Sequence, residues 1–230
     1  MNEVVNYLQQ YVKSVRIIST GSLTEIDKKS LPESWINLLS LNVQDRNAEV
    51  LKKWQHFYYE FQQVIDYLQI NLLQVDVIQT ERGYALLYAV KAGTGATMYY
   101  EGLLPDANPA NPADPGVVSL FARTPKELQR FYAELHNGWY YFASRSMGLS
   151  PLEDMFVMGS QEWGILDDIG QSPIDLNQSL AVYTNGMGGY VCLEPLEQTR
   201  AHIWYSNRAP KLNIDFWAFV DSWTLIGFEA

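Results

Sequence analysis

The chain has 230 residues, 47% apolar and 13% aromatic, a composition that excludes a disordered polypeptide and supplies enough material for a sizeable core. Its 26 acidic against 16 basic residues give a formal net charge of −10. That balance disfavours nucleic acid and anionic membrane surfaces, where Lys and Arg must displace counterions. The one cysteine, Cys192, excludes an internal disulfide and suits a reducing compartment, so cytoplasm is the expected location.

The longest apolar run, Tyr84 to Val90, is far shorter than the roughly 20 residues that span a bilayer. The opening Met-Asn-Glu-Val-Val lacks the basic-then-apolar pattern of a secretory signal. Val4, Val5, Leu8 and Val12 recur at helical spacing and predict a short amphipathic helix within 2–13. A second helix is expected from Leu31-Pro32 to about Leu41. The longest helical pattern covers 47–69, where Val50, Leu51, Trp54, Phe57, Tyr58, Phe61, Val64, Ile65 and Leu68 make an apolar stripe with no Pro or Gly to interrupt it. Such a stripe is expected to face the core.

From Leu72 the period becomes that of strands. Leu73, Val75 and Val77 alternate with their neighbours, Tyr84 to Val90 follows, and then Thr97 to Glu101, with turns at 81–83 and 91–95. The pattern predicts a three-stranded antiparallel meander. Residues 105–116 hold Pro105, Pro109, Pro112 and Pro115 and read as an irregular loop, the best boundary in the chain. A strand is expected at Val117 to Phe121. Next comes a helix that Thr124 would cap, with Pro125 at its first position and Glu127 completing a capping box. Leu128, Phe131, Tyr132 and Leu135 form its apolar face, Asn137-Gly138 suits a left-handed stop, and Trp139 to Phe142 follow as an aromatic turn. Residues 180–184, 189–193 and 201–205 predict a second meander, and residues 214–226 a closing aromatic helix. The fold class is α+β, antiparallel sheet flanked by helices.

Candidate chemistry is sparse. Gly93-Thr94-Gly95 and Gly186-Met187-Gly188-Gly189 lack the Lys-Ser/Thr ending of a phosphate loop and precede strand-like sequence, so they read as hairpin turns. His56, His136 and His202 have no metal-ligand spacing. His136 is placed at a helix C-terminus, where positive charge suits the dipole, and His202 in a strand. Cys192 reads as a small apolar strand residue. Glu153, Asp154, Glu162, Asp167 and Asp168 gather in the loop-rich stretch before the second meander. A pair flanking a substrate can do acid–base work, as in glycosidases, but sequence neighbours seldom face each other in the geometry this needs. The commoner meaning is a solvated acidic rim. That rim also suits a contact face for a basic partner, with Trp163 as its aromatic anchor. No catalytic, metal or cofactor-binding residue emerges.

The later half carries a loose but ordered set of features. A capped helix ends in Phe-Tyr-Ala-Glu-Leu-His-Asn-Gly, and a Leu-Ser-Pro-Leu-Glu stretch follows. Then come a strand, Gly-rich turn and strand from Tyr183 to Glu194, the strand Ile203-Trp204-Tyr205, and an aromatic helix over Phe216 to Phe228. This order resembles the SUKH superfamily, which includes the yeast cell-wall-assembly regulator and many bacterial immunity proteins. The resemblance covers about residues 120–228 and leaves the first 115 residues unexplained. Two units are therefore expected, an extension over 1–115 and a SUKH-like α+β unit over 116–230, unless the two form one continuous domain. The resemblance implies a protein without catalysis or cofactor that binds and neutralises a polymorphic toxin delivered by contact-dependent or type VI secretion. It transfers no catalytic residues, and the contact face varies between members. The acidic balance fits a basic toxin. The competing readings are a regulatory scaffold of the same fold and a hydrolase using the carboxylates of 153–168.

Overall fold

Residues 3–106, 114–195 and 199–229 are described by the computed structural model. The expected loop over 105–116 and the turn after Glu194 fall partly outside them, at 107–113 and 196–198. The chain begins with α1 (Glu3–Leu8), β1 (Val15–Ile18), α2 (Glu25–Ser30), α3 (Glu33–Leu38), α4 (Val43–Trp54) and α5 (Gln62–Asn71). The first meander follows as β2 (Leu72–Thr80), β3 (Gly83–Lys91) and β4 (Thr97–Leu103), and then α6 (Pro115–Phe121) and α7 (Lys126–Glu134). Three short strands lead on, β5 (Trp139–Tyr141), β6 (Ser146–Leu149) and β7 (Phe156–Val157), with α8 (Ile165–Ile169) after them. The second meander is β8 (Leu180–Thr184), β9 (Gly189–Glu194) and β10 (Arg200–Tyr205), completed by β11 (Lys211–Ile214) and α9 (Phe216–Glu229).

Among the described residues the strands form one 11-stranded antiparallel sheet, ordered β1-β2-β3-β4-β5-β6-β8-β9-β10-β11 with β7 also on β8. The class is α+β. The ladder passes through the expected 115/116 division without a gap, because β4 pairs with β5 at Tyr100–Tyr141, Glu101–Tyr140 and Gly102–Trp139. The aromatic run after Gly138 is thus a strand at the centre of the sheet rather than a turn. Its alternation decides the burial: Trp139 enters the main core while Phe142 joins a cluster with Ile78, Ala85, Leu87 and Leu8. Strand period places Leu86, Tyr88 and Val90 of β3 on the first face and Ala85 and Leu87 on the second. A separate cluster of Met158, Trp163, Cys192 and Trp204 covers the second face at the other end.

Three expectations are corrected. The stripe of 47–69 is two helices joined by a 3-10 turn at Gln55–Phe57. The break brings Trp54, Phe57 and Phe61, each at most 1% exposed, into one aromatic cluster. It is held by the Asp221 carboxylate of α9, which accepts from Gln63 N at 3.0 Å and Val64 N at 2.9 Å. A carboxylate on the free amides of a helix start is worth about 1 kcal/mol or more, and its position 158 residues away is invisible to periodicity. The strand expected at Val117 to Phe121 is α6. Asp114 caps it by accepting from Gly116 N, Pro115 takes the first turn, and Val117, Leu120 and Phe121 are buried at helical spacing. That helix also changes the role of Thr124. Its hydroxyl donates to Phe121 O at 2.8 Å to close α6, so α7 starts at Lys126 behind Pro125 without a capping box.

The left-handed stop expected at Asn137-Gly138 does not close α7, which ends at Glu134 with Leu135 as a right-handed cap; Gly138, with φ +78, instead forms the turn that leads straight into β5. A Cβ there would sit 2.4 Å from Pro151 N, so side chain and backbone both resist substitution. Gly138→Ala is expected to cost about 2–3 kcal/mol in urea unfolding. A midpoint equal to that of the parent chain would refute this account of the turn.

Candidate functional site

The six residues singled out by sequence separate into two groups. Glu153 and Asp154 lie on a 3-10 turn, Leu152–Asp154, and are held by basic side chains. Arg82 Nη2 donates to Asp154 Oδ2 at 2.8 Å, and Arg145 Nη2 donates to the same oxygen at 2.6 Å. Asn137 Nδ2 donates to Glu153 Oε2 at 3.1 Å. Arg82 reaches inward as well: Nη1 donates to the Tyr140 hydroxyl at 2.6 Å, which donates in turn to Glu101 Oε2 at 2.7 Å. Burial pushes the Glu101 carboxyl above its ordinary range, opposed by the Tyr140 hydrogen bond and the Arg82 charge. These two carboxylates therefore fasten the turn before β3 to the segment after β6, and little of their charge is left for a partner.

The second group is placed differently. Glu162, Asp167 and Asp168 are exposed, and among the described residues none of their three carboxylates has an ion pair or hydrogen bond. Trp163, expected as the aromatic anchor of that contact face, is 9% exposed. Its Nε1 donates to Met158 O at 2.8 Å, and its ring packs edge-on to Trp204 at 5.7 Å and Tyr190 at 5.6 Å. The tryptophan is a foundation beneath the acidic residues. It fixes α8 on the second face of the sheet, so the carboxylates are presented from a firm base. No hydrogen bond or ion pair among the described residues joins this group to Glu153 and Asp154.

Cys192, Glu194 and His202 share one face of β9 and β10, a composition that invites a nucleophilic reading. The contacts deny it. The thiol donates to the backbone carbonyl of His202 at 3.7 Å, and burial pushes it up to about 12. The His202 ring accepts from Asn213 N through Nδ1 at 3.2 Å, which leaves Nε2 to face Glu194 at 3.6 Å. No basic nitrogen is left to activate the sulfur. Among the described residues no three His, Cys, Asp or Glu side chains are grouped to hold a metal ion, and no helix is long and apolar enough to cross a membrane.

A feature the sequence did not disclose lies between α3, α4, β3 and the end of α7. It is a cavity of about 500 Å³ with Trp35, Leu38, Val50, Leu86 and Leu135 in its walls. Tyr88 and His136 also line it, and both are fully buried. Their hydrogen bonds form a closed series. Trp54 Nε1 donates to the Tyr88 hydroxyl at 3.0 Å, and that hydroxyl donates to His136 Nε2 at 2.6 Å. His136 Nδ1 donates to Leu103 O at 3.3 Å, since a carbonyl can only accept. Burial lowers the His136 pKa to about 3, so the ring is neutral rather than the cation expected at a helix end. A hint was present in the sequence: Leu38, Leu41 and Val50 are apolar positions flanking a short link, but periodicity cannot show that they leave a space.

The chain matches no protein-family model, no curated protein and no solved structure.

Proposed function

We propose that this chain is an immunity protein, which binds a cognate bacterial toxin of the contact-dependent or type VI secretion kind and neutralises it by occupying it. The observation that carries this reading is the set of exposed, unpaired carboxylates Glu162, Asp167 and Asp168 on a segment anchored by buried Trp163. With a net charge of −10, such a segment steers a basic protein towards itself and raises its association rate at low salt. The resemblance of residues 120–228 to the SUKH superfamily supports the same reading. Glu153 and Asp154, included in the expected contact face, contribute to its shape through Arg82 and Arg145 rather than to its free charge.

The test is co-expression with the product of the adjacent reading frame. The expected result is a 1:1 complex and protection of cells in which that product is otherwise lethal. The triple variant E162K/D167K/D168K should slow association about tenfold at low salt while unfolding at the parent temperature. Absence of both complex and protection would sink the proposal, and an unchanged association rate would move the contact face elsewhere.

A further inference from the structure

We infer that the cavity between α3, α4, β3 and α7 is a binding site for a small amphipathic amine, with its apolar body inside and its ammonium group at the rim. This inference stands apart from the toxin-binding reading, because it concerns the opposite face of the sheet from Trp163. Three observations support it.

The first is size against lining. A cavity of about 500 Å³ lies within the range of small-molecule sites. Filled with water it would hold on the order of 15 molecules at liquid density. Exposed Ser34, Asn37, Ser40, Glu49, Lys53 and Glu134 line its outer part, and waters deeper in would face the buried side chains of Trp35, Leu38, Val50, Leu86 and Leu135. An apolar body displaces poorly bonded water and gains contact with these walls.

The second is the state of the polar groups at depth. The Tyr88 hydroxyl already accepts from Trp54 and donates to His136, whose two ring nitrogens are both engaged. A polar ligand entering this far would lose its hydration and find no free partner there. The chemistry of the interior selects an apolar group.

The third is charge at the mouth. Glu49 of α4 and Glu134 at the end of α7 are exposed, and neither carboxylate has an ion pair or hydrogen bond among the described residues. With the His136 ring neutral, Lys53 is the one cationic side chain among the described residues of the lining. Two carboxylates to one ammonium favour a cationic head over a carboxylate.

The experiment uses three probes with the same ten-carbon body, decylamine, decanol and decanoate, titrated below their micelle concentrations by calorimetry at low salt. Decylamine is expected to saturate one site, and to bind roughly three- to tenfold more tightly than decanoate because exposed charge pairs contribute modestly. E49Q/E134Q should bring decylamine to the affinity of decanol. Val50→Trp, which fills the space, should abolish binding of all three in a chain that remains folded by circular dichroism. If that variant unfolds, Leu41→Trp at the half-buried wall replaces it. No saturable binding of decylamine overturns the inference. Equal or tighter binding of decanoate, or binding retained in the filled variant, does so as well.

Discussion

Trp54→Ala is expected to lower stability by about 4–5 kcal/mol and the Tm by roughly 10–15 °C. Trp54 is fully buried at the end of α4. Its ring lies edge-on to Trp139 at 4.7 Å, Phe61 at 5.5 Å and Phe131 at 5.8 Å, so it touches β5, the start of α5 and α7 at once. Truncation removes that contact, leaves a cavity that three separate elements cannot collapse to fill, and deprives the Tyr88 hydroxyl of its donor. Trp54→Phe retains most of the ring contacts and loses the indole N–H, so about 1–2 kcal/mol is expected. Calorimetric unfolding of both variants checks the pair. A loss below 1 kcal/mol for Trp54→Ala would show that the aromatic cluster is not the join between helices and sheet.

The second large effect is acid sensitivity set by His136. Its pKa is about 3 in the folded chain and near 6.5 when unfolded. Above pH 6.5 both states hold a neutral ring and the group does not affect stability. As pH falls below 6.5 the unfolded chain gains a proton that the folded chain refuses, so stability drops by about 1.4 kcal/mol per pH unit. Near pH 4 the loss from this one ring is about 3 kcal/mol. Burial lowers the pKa of His202 too, against the raising influence of Glu194, and adds in the same direction. Asp27 acts in a lower window: the Arg16 guanidinium holds its carboxyl well below the usual range, so its contribution is lost only as pH falls through and below about 4. Urea unfolding between pH 7 and 4 should therefore show a slope that His136→Gln reduces. An NMR titration should find the His136 ring neutral at pH 4.5. A protonated ring in the folded protein at that pH would contradict the assignment.

The same histidine explains a constraint on the sheet. A Cβ at Gly102 would lie 2.5 Å from the His136 ring, so β4 can carry no side chain where the imidazole crosses it. The end of α7, the centre of the sheet and the wall of the cavity are thereby fixed relative to one another. The charge network at Arg82 does the same at the turn before β3, tying it to Asp154 and Tyr140.

Both meanders, the α+β class, the apolar face of α7 and the existence of α9 were legible in the sequence. Strand alternation over 72–103 and 180–205 and helical spacing in Leu128, Phe131 and Tyr132 are local patterns, and burial enforced them. The short strands β1, β5, β6, β7 and β11 were not, since each has at most four residues and too few positions to establish a period. Of the candidate contact residues, sequence could name the carboxylates. It could not tell Glu162, Asp167 and Asp168, which stay free, from Glu153 and Asp154, which basic side chains hold. Arg82 lies 72 residues from Asp154, and no spacing rule connects them.

What the sequence determined by itself was therefore the local part: period, turn residues, net charge and the scarcity of reactive groups. Tertiary structure alone decided that the two meanders share one sheet through β5, that Asp221 splits a continuous apolar stripe into α4 and α5, and that Trp163 turns inward. It also decided that Trp35, Leu38, Val50 and Leu86 enclose a space. The reason is the same in each case. These outcomes depend on hydrogen bonds and contacts between residues tens to more than a hundred positions apart, whose pairing is set by how the whole chain closes.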